Sequence, residues 1–207
     1  MATALLMIMG GAVATVLGRG LKAWQKADGR LQRLFVVEKS LNRMGEDLRN
    51  GLSLADRPFE GLGAELLFVT AQGPTRLAQV GYALQSGGGR QTLVRTWQPF
   101  PSVPAQQPAA AAPGRVAAPP LAPAAQAQTM VPGVKAFSIE YGYLQPADAG
   151  TGSSVNWAQT WDSEHQPLEI PRLVRIRIEV ETPQGEADSS TREFLIPHGA
   201  FRNPPGE

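Results

Sequence analysis

Few residues in this chain have both the type and the spacing that chemistry requires. The 207 residues include two histidines, His165 and His198, and no cysteine. Neither histidine has a partner at H-x-x-H or H-E-x-x-H spacing, the pattern that puts two zinc ligands on one helix face. Without thiols there is no disulfide framework and no thiolate nucleophile. No serine lies in a G-x-S-x-G elbow. Ser86-Gly87-Gly88-Gly89 lacks the Lys-Ser/Thr that completes a phosphate cradle, so it is a turn. Asp148, Asp162 and Glu164 are oxygen donors of the kind calcium takes, but their spacing fits no known cage. The residues thus offer no catalytic set, no cofactor site and no metal site, and the expectation is a protein that is not an enzyme.

Charge narrows the classes further. Lys+Arg 19 against Asp+Glu 18 leaves a net charge of +1, far from the basic excess of a nucleic-acid binder. There is also no run of five like charges. The informative feature is the start of the chain. An uncharged apolar run, Ala2 to Gly18, flows without a break into an amphipathic pattern that ends near Asn50. A transmembrane helix needs about 20 apolar residues, with a floor of roughly 17. The run sits at that floor, and Gly10-Gly11 weaken it. Ala12-Val13-Ala14 has the small-x-small form of a signal cleavage site, but no Lys or Arg precedes the run to supply a basic n-region. An uncleaved stalk is expected, buried in a bilayer or in an assembly.

From Leu17 the apolar residues recur at helical spacing: Leu17, Leu21, Trp24, Leu31, Leu34, Val37, Leu41, Met44 and Leu48. The last five step by three and four, which puts them on one stripe. Lys22, Lys26, Arg30, Arg33, Lys39, Asn42, Arg43, Glu46 and Arg49 are assigned to the opposite face. Asn50-Gly51 tolerate the left-handed conformation that ends helices. Leu34 to Leu48 read as a helix covering a sheet. Leu17, Leu21 and Trp24 lie beside the stalk, where the chain leaves its own domain, and are the candidate partner-binding residues. The cations Arg19, Lys22 and Lys26 have the character of a solvated face or of a contact with anionic headgroups.

After Asn50 the period changes from 3.6 to 2. Leu66 to Thr70, Ala78 to Leu84, Gln91 to Trp97, Phe137 to Tyr143, Arg172 to Thr182 and Arg192 to Ile196 predict short strands. Ser86 to Gly89 predicts a hairpin turn, and Pro183-Gln184-Gly185 a second turn. The fold class expected is α+β, a long N-terminal hydrophobic and amphipathic helix packed on a mostly antiparallel β domain. Residues 1–18 form the stalk, 19–50 the amphipathic helix, 51–100 and 134–200 one β-rich domain, and 201–207 a tail. Residues 101–133 are different. The stretch between Trp97 and Lys135 holds nine of the 18 prolines, many alanines and Arg115 as its single charge. Such composition buries too little to offset ordering entropy and predicts a flexible insertion.

These pieces, in this order, resemble the minor pseudopilin J family of the bacterial type II secretion system. The resemblance is carried by Arg19-Gly20-Leu21-Lys22-Ala23-Trp24 and by Met44-Gly45-Glu46-Asp47-Leu48-Arg49. It continues through Val134 to Tyr141, Trp157, Trp161-Asp162, Leu168 to Pro171, Arg172 to Glu181 and Glu193 to Pro197. It implies the pseudopilin fold and a non-enzymatic role at the tip of a short periplasmic filament that supports export across the outer membrane. It also implies the sister pseudopilins I and K as partners, and a single-pass anchor in the inner membrane with the globular domain in the periplasm. No nucleic acid or small-molecule substrate is implied. A minor pilin of a type IV pilus is the related alternative, and a membrane-anchored periplasmic binding or enzyme domain the alternative from another class. Family members begin with a basic leader, a Gly cleavage site, Phe-Thr and a Glu within the apolar helix. Here apolar residues follow Met1 directly and the first acid is Asp28. An internal Met1, with a leader upstream, is therefore expected.

Overall fold

One helix and one sheet account for the regular structure. The computed structural model describes residues 2–73, 76–100, 125–145, 154–161, 169–182 and 185–200, with backbone alone for 2–14 and 144–145. Helix α1 runs unbroken over Ala2–Arg49, passing through Gly10-Gly11 without interruption. It ends where Asn50 caps it: the Asn50 backbone N–H and side-chain Nδ2 both donate to the Glu46 carbonyl, at 3.3 and 3.1 Å. Two carbonyl lone pairs left open by the helix end are satisfied in this way. Gly51 then opens the first strand.

Nine strands follow among the described residues: β1 Gly51–Leu52, β2 Glu60–Gly61, β3 Glu65–Ala71, β4 Leu77–Gly87, β5 Arg90–Pro99, β6 Gln126–Gln145, β7 Ser154–Ala158, β8 Leu173–Glu181 and β9 Ala187–Leu195. They form one sheet in the order β1-β3-β4-β5-β6-β8-β9, with β2 also on β3 and β7 also on β6. Every pair is antiparallel. The α+β class read from the sequence is the observed one. The β4–β5 hairpin turns at Gly88 and Gly89, both at positive φ (60° and 77°), as a two-residue turn compatible with strand twist requires. Alternation sets the buried face: Val174, Ile176, Ile178 and Val180 of β8 are buried, and so are Phe137, Ile139, Tyr141 and Tyr143 of β6. The helix lays Val37, Leu41, Met44 and Leu48 into that core.

The boundary of the Pro/Ala-rich insertion needs correction. Gln126 to Pro132 belong to β6, where they pair with Trp97 to Thr92 of β5, so the strand begins well before residue 134. Composition misled because Pro132-Gly133 reads as loop. In the structure it is a bulge: Pro132 pairs with Thr92 beside a register shift, and Gly133 has φ 67°. Proline is tolerated at a bulge because no ladder N–H is required there. Residues 101–124 lie outside the described residues, as do Asp148, Asp162, Glu164, His165 and the tail 201–207. β1, β2 and β7, not foreseen from the sequence, are short strands paired to longer ones, β1 and β2 to β3 and β7 to β6.

Candidate interaction surface

Helix α1 does two different things along its length. From Val37 to Leu48 it is docked on the sheet, and Ser40 donates to the carbonyls of Val36 (2.8 Å) and Met130 (3.2 Å). At Gly45 the helix comes so close to β9 that a Cβ would lie 2.5 Å from Cε1 of Phe194. Glu38 and Asn42 both accept from Arg192, and Ser190 donates to Glu38 at 2.9 Å. Higher up, Arg30 pairs with Asp188 at 2.8 Å. Beyond that point the described side chains of α1 meet solvent.

The lower half is held by a polar cluster of Asp47, Tyr82 and Arg95. Asp47 lies on the domain side of α1 and is buried. Its Oδ2 accepts from the Tyr82 hydroxyl at 2.5 Å and from Arg95 Nε at 2.8 Å, and Arg43 Nε lies 3.7 Å from its other oxygen. Burial, reinforced by the neighbouring Asp47 charge, pushes the Tyr82 phenol far above its ordinary value. Burial pulls the Arg95 guanidinium down, but the hydrogen bond and charge of Asp47 outweigh it and the net direction is up. In sequence Asp47 follows Met44 by three and precedes Leu48 by one, which puts it about 60° of helix rotation beyond Met44, at the edge of the core-facing stripe.

Leu17, Leu21 and Trp24, the candidate partner-binding residues, are all exposed, Trp24 at 80 %. The structure adds Leu31 and Phe35, at 65 % and 71 %. The helical repeat of about 100° per residue puts these five within about 80° of arc. Their centre is roughly 150° around the helix from that of Val37, Leu41, Met44 and Leu48. The apolar pattern of α1 is therefore two stripes on nearly opposite faces, exchanging sides near residue 35. Leu31 belongs to the outer stripe and not to the core-facing one.

The charges exchange sides in the same way. Below residue 35 the outer sector carries the exposed Lys39, Asn42, Arg43, Glu46 and Arg49. Above it, Arg19, Lys22, Lys26, Arg30 and Arg33 occupy the sector that faces the domain lower down. The single polar-face assignment made from sequence therefore splits into two. Each of the five outer apolar side chains gains about 1.5–3 kcal/mol on leaving water, so leaving them together on one bare stripe is costly. Contiguous exposed apolar surface of this kind marks an interaction site. Gly20 stands beside the stripe with nothing within 4 Å of where a Cβ would be, and open backbone lets a second element approach closely. At the top of the docked half, Leu31, Leu34, Phe35 and Val36 line an open apolar hollow.

On the outer sheet face Arg175 stacks on Trp157, 3.9 Å from its ring centroid, and donates to Glu140 (3.1 Å) and Glu193 (2.8 Å), so its charge is already matched. His198 is an exposed turn residue. Among the described residues no three His, Cys, Asp or Glu side chains gather as a metal site. Among the described residues, too, no helical stretch is long and apolar enough to cross a membrane. Comparison with known protein families and with curated protein sequences finds no match.

Proposed function

We propose that this protein is a non-enzymatic minor pseudopilin of a type II secretion system, a subunit of the tip complex that primes assembly of the periplasmic filament. In this reading the apolar start of α1 seats the chain at the bacterial inner membrane, the β domain stands in the periplasm, and the sister pseudopilins I and K are its partners. The observation that carries the reading is the second apolar stripe, Leu17, Leu21, Trp24, Leu31 and Phe35. Leu17, Leu21 and Trp24 lie on the part of α1 that has left its own domain, Leu31 and Phe35 continue the line at the top of the docked half, and all five are on the face turned away from the domain-packing stripe. A subunit built to pack helix against helix needs that arrangement, whereas an anchored enzyme needs only a tether. The unbroken passage of α1 from the apolar run into the core also speaks against an independent domain on a flexible linker.

The test is co-purification of the full chain with full-length sisters I and K from detergent extracts of co-expressing cells. Both sisters, or at least one, are expected in the complex. Leu21→Glu and Trp24→Glu should weaken it at least tenfold while leaving the melting temperature within about 2 °C, because exposed positions away from the core cost less than about 0.5 kcal/mol. Absence of both sisters from the wild-type eluate would overturn the reading.

A further inference from the structure

We propose, on the basis of the pseudopilin reading, that Asp28 is a specificity residue. It would fix the register of α1 against a partner helix that presents a Lys or Arg at its level. Asp28 is exposed and sits in the middle of the outer apolar stripe, four residues after Trp24 and three before Leu31. At about 100° per residue it points along the same line as Leu17 and Phe35. An acid there is the wrong residue for a purely apolar contact, and desolvating it without a cation is costly.

Among the described residues no cation neutralises this charge. Positions three and four away along a helix are the ones whose side chains meet, and around Asp28 they hold Trp24, Gln25, Leu31 and Gln32. Gln32 Nε2 donates to Asp28 at 3.2 Å, and no cation among the described residues pairs with it. The stretch is nonetheless rich in cations: Arg19, Lys22, Lys26, Arg30 and Arg33 all lie on the opposite side, and Arg30 is engaged by Asp188 at 2.8 Å. Five cations within fifteen residues, none where Asp28 could use it, leave the complement to another molecule. A single polar residue in an apolar helix seam is a known means of fixing register and partner at a cost in stability.

The same geometry decides among occupants. A second copy packed in register sets Asp28 against Asp28, which repels. An anionic lipid surface repels the carboxylate and favours the unbroken apolar face that Asp28 interrupts. A different helix, apolar along its seam and basic at one level, satisfies both the stripe and the acid.

The experiment uses the full chain co-expressed with full-length sisters I and K, with capture from detergent extract at low and high salt. Asp28→Asn should lower recovery of one sister about tenfold, the range of a close interfacial charge pair, and Asp28→Lys should abolish it. Reversing one Lys or Arg in that sister's N-terminal helix to Glu should then restore capture by the Asp28→Lys chain. If Trp24→Glu loses the complex while Asp28→Asn and Asp28→Lys retain it, the register inference fails and the pseudopilin reading stands. If no single reversal restores capture, the inference also fails. If the wild-type chain captures neither sister, the reading beneath it fails. Two further results would overturn the inference by naming another occupant. One is self-association of the wild-type chain that Asp28→Asn alters. The other is tighter binding of Asp28→Asn to phosphatidylglycerol vesicles with sister capture unchanged.

Discussion

Removing the Asp47 carboxylate tests how α1 is held at the angle from which its outer stripe is presented. Asp47→Ala deletes the shared acceptor of Tyr82 and Arg95, which reach it at 2.5 and 2.8 Å. Arg95 has only 7 % of its side chain exposed, and its Nη2 already lacks a hydrogen-bond partner. The variant would leave that cation buried without a counter-charge, with the Tyr82 hydroxyl beside it. Breaking a buried pair by removing one partner costs about 3–5 kcal/mol. For a domain of this size each kcal/mol moves the melting temperature by roughly 3 °C, so a fall of about 10–15 °C is expected. Replacing the whole set is a different perturbation, because apolar substitution of both partners is often neutral. Asp47→Ala/Arg95→Met should therefore recover most of the loss. Urea unfolding can be followed through Trp161, which is buried and stacked on Tyr143 at 5.3 Å between centroids. A single variant that loses less than about 1 kcal/mol would refute the argument, and so would a double variant as unstable as the single, since either result would mean that the cation was never dependent on Asp47.

Two more expectations concern the domain. Tyr82 and Tyr141 are buried and both phenols are raised well above the ordinary 10.0. Below that value they are protonated folded and unfolded alike, so pH has no leverage through them. Above it the unfolded phenols lose protons that the folded ones keep, and stability should fall by about 1.4 kcal/mol per pH unit for each tyrosine. Urea midpoints between pH 9 and 11 should show this decline, and Tyr82→Phe should remove about half of it; an unchanged slope would refute the assignment. At the helix–sheet contact, Gly45→Ala forces a Cβ to 2.5 Å from Phe194 and should cost about 1–3 kcal/mol. On a Phe194→Ala background the same change should turn neutral or stabilising, since alanine is the better helix former by about 1 kcal/mol. A cost that persists there would place the strain elsewhere.

Much of the fold could be read locally, because periodicity is a local property. The step of three and four from Val37 to Leu48 and the alternation from Val174 to Val180 each specify an element and its buried face, and the structure buries Val37, Leu41, Met44, Leu48, Val174, Ile176, Ile178 and Val180. Leu17, Leu21 and Trp24 were set apart by their place beside the stalk and are exposed. Composition was a poorer guide than period. Pro132-Gly133 looked like loop because the chain neighbours of a bulge look like loop, while the strand around it is specified by β5 across the sheet.

Three features were decided only by tertiary structure. Whether an apolar helical residue faces core or solvent depends on where the sheet ends beneath the helix. Leu31 and Leu34 therefore share one sequence pattern, yet only Leu31 stands out in solvent. Asp47 became a buried anchor because β4 and β5 bring Tyr82 and Arg95, 35 and 48 residues away, to the same oxygen. No local rule predicts such a meeting, since it rests on long-range strand pairing. Asp28 acquired its meaning in the same way: an acid in a helix is ordinary until the fold shows that it interrupts an exposed apolar stripe, that the cations of its own stretch lie on the far side, and that the described domain leaves this surface uncovered.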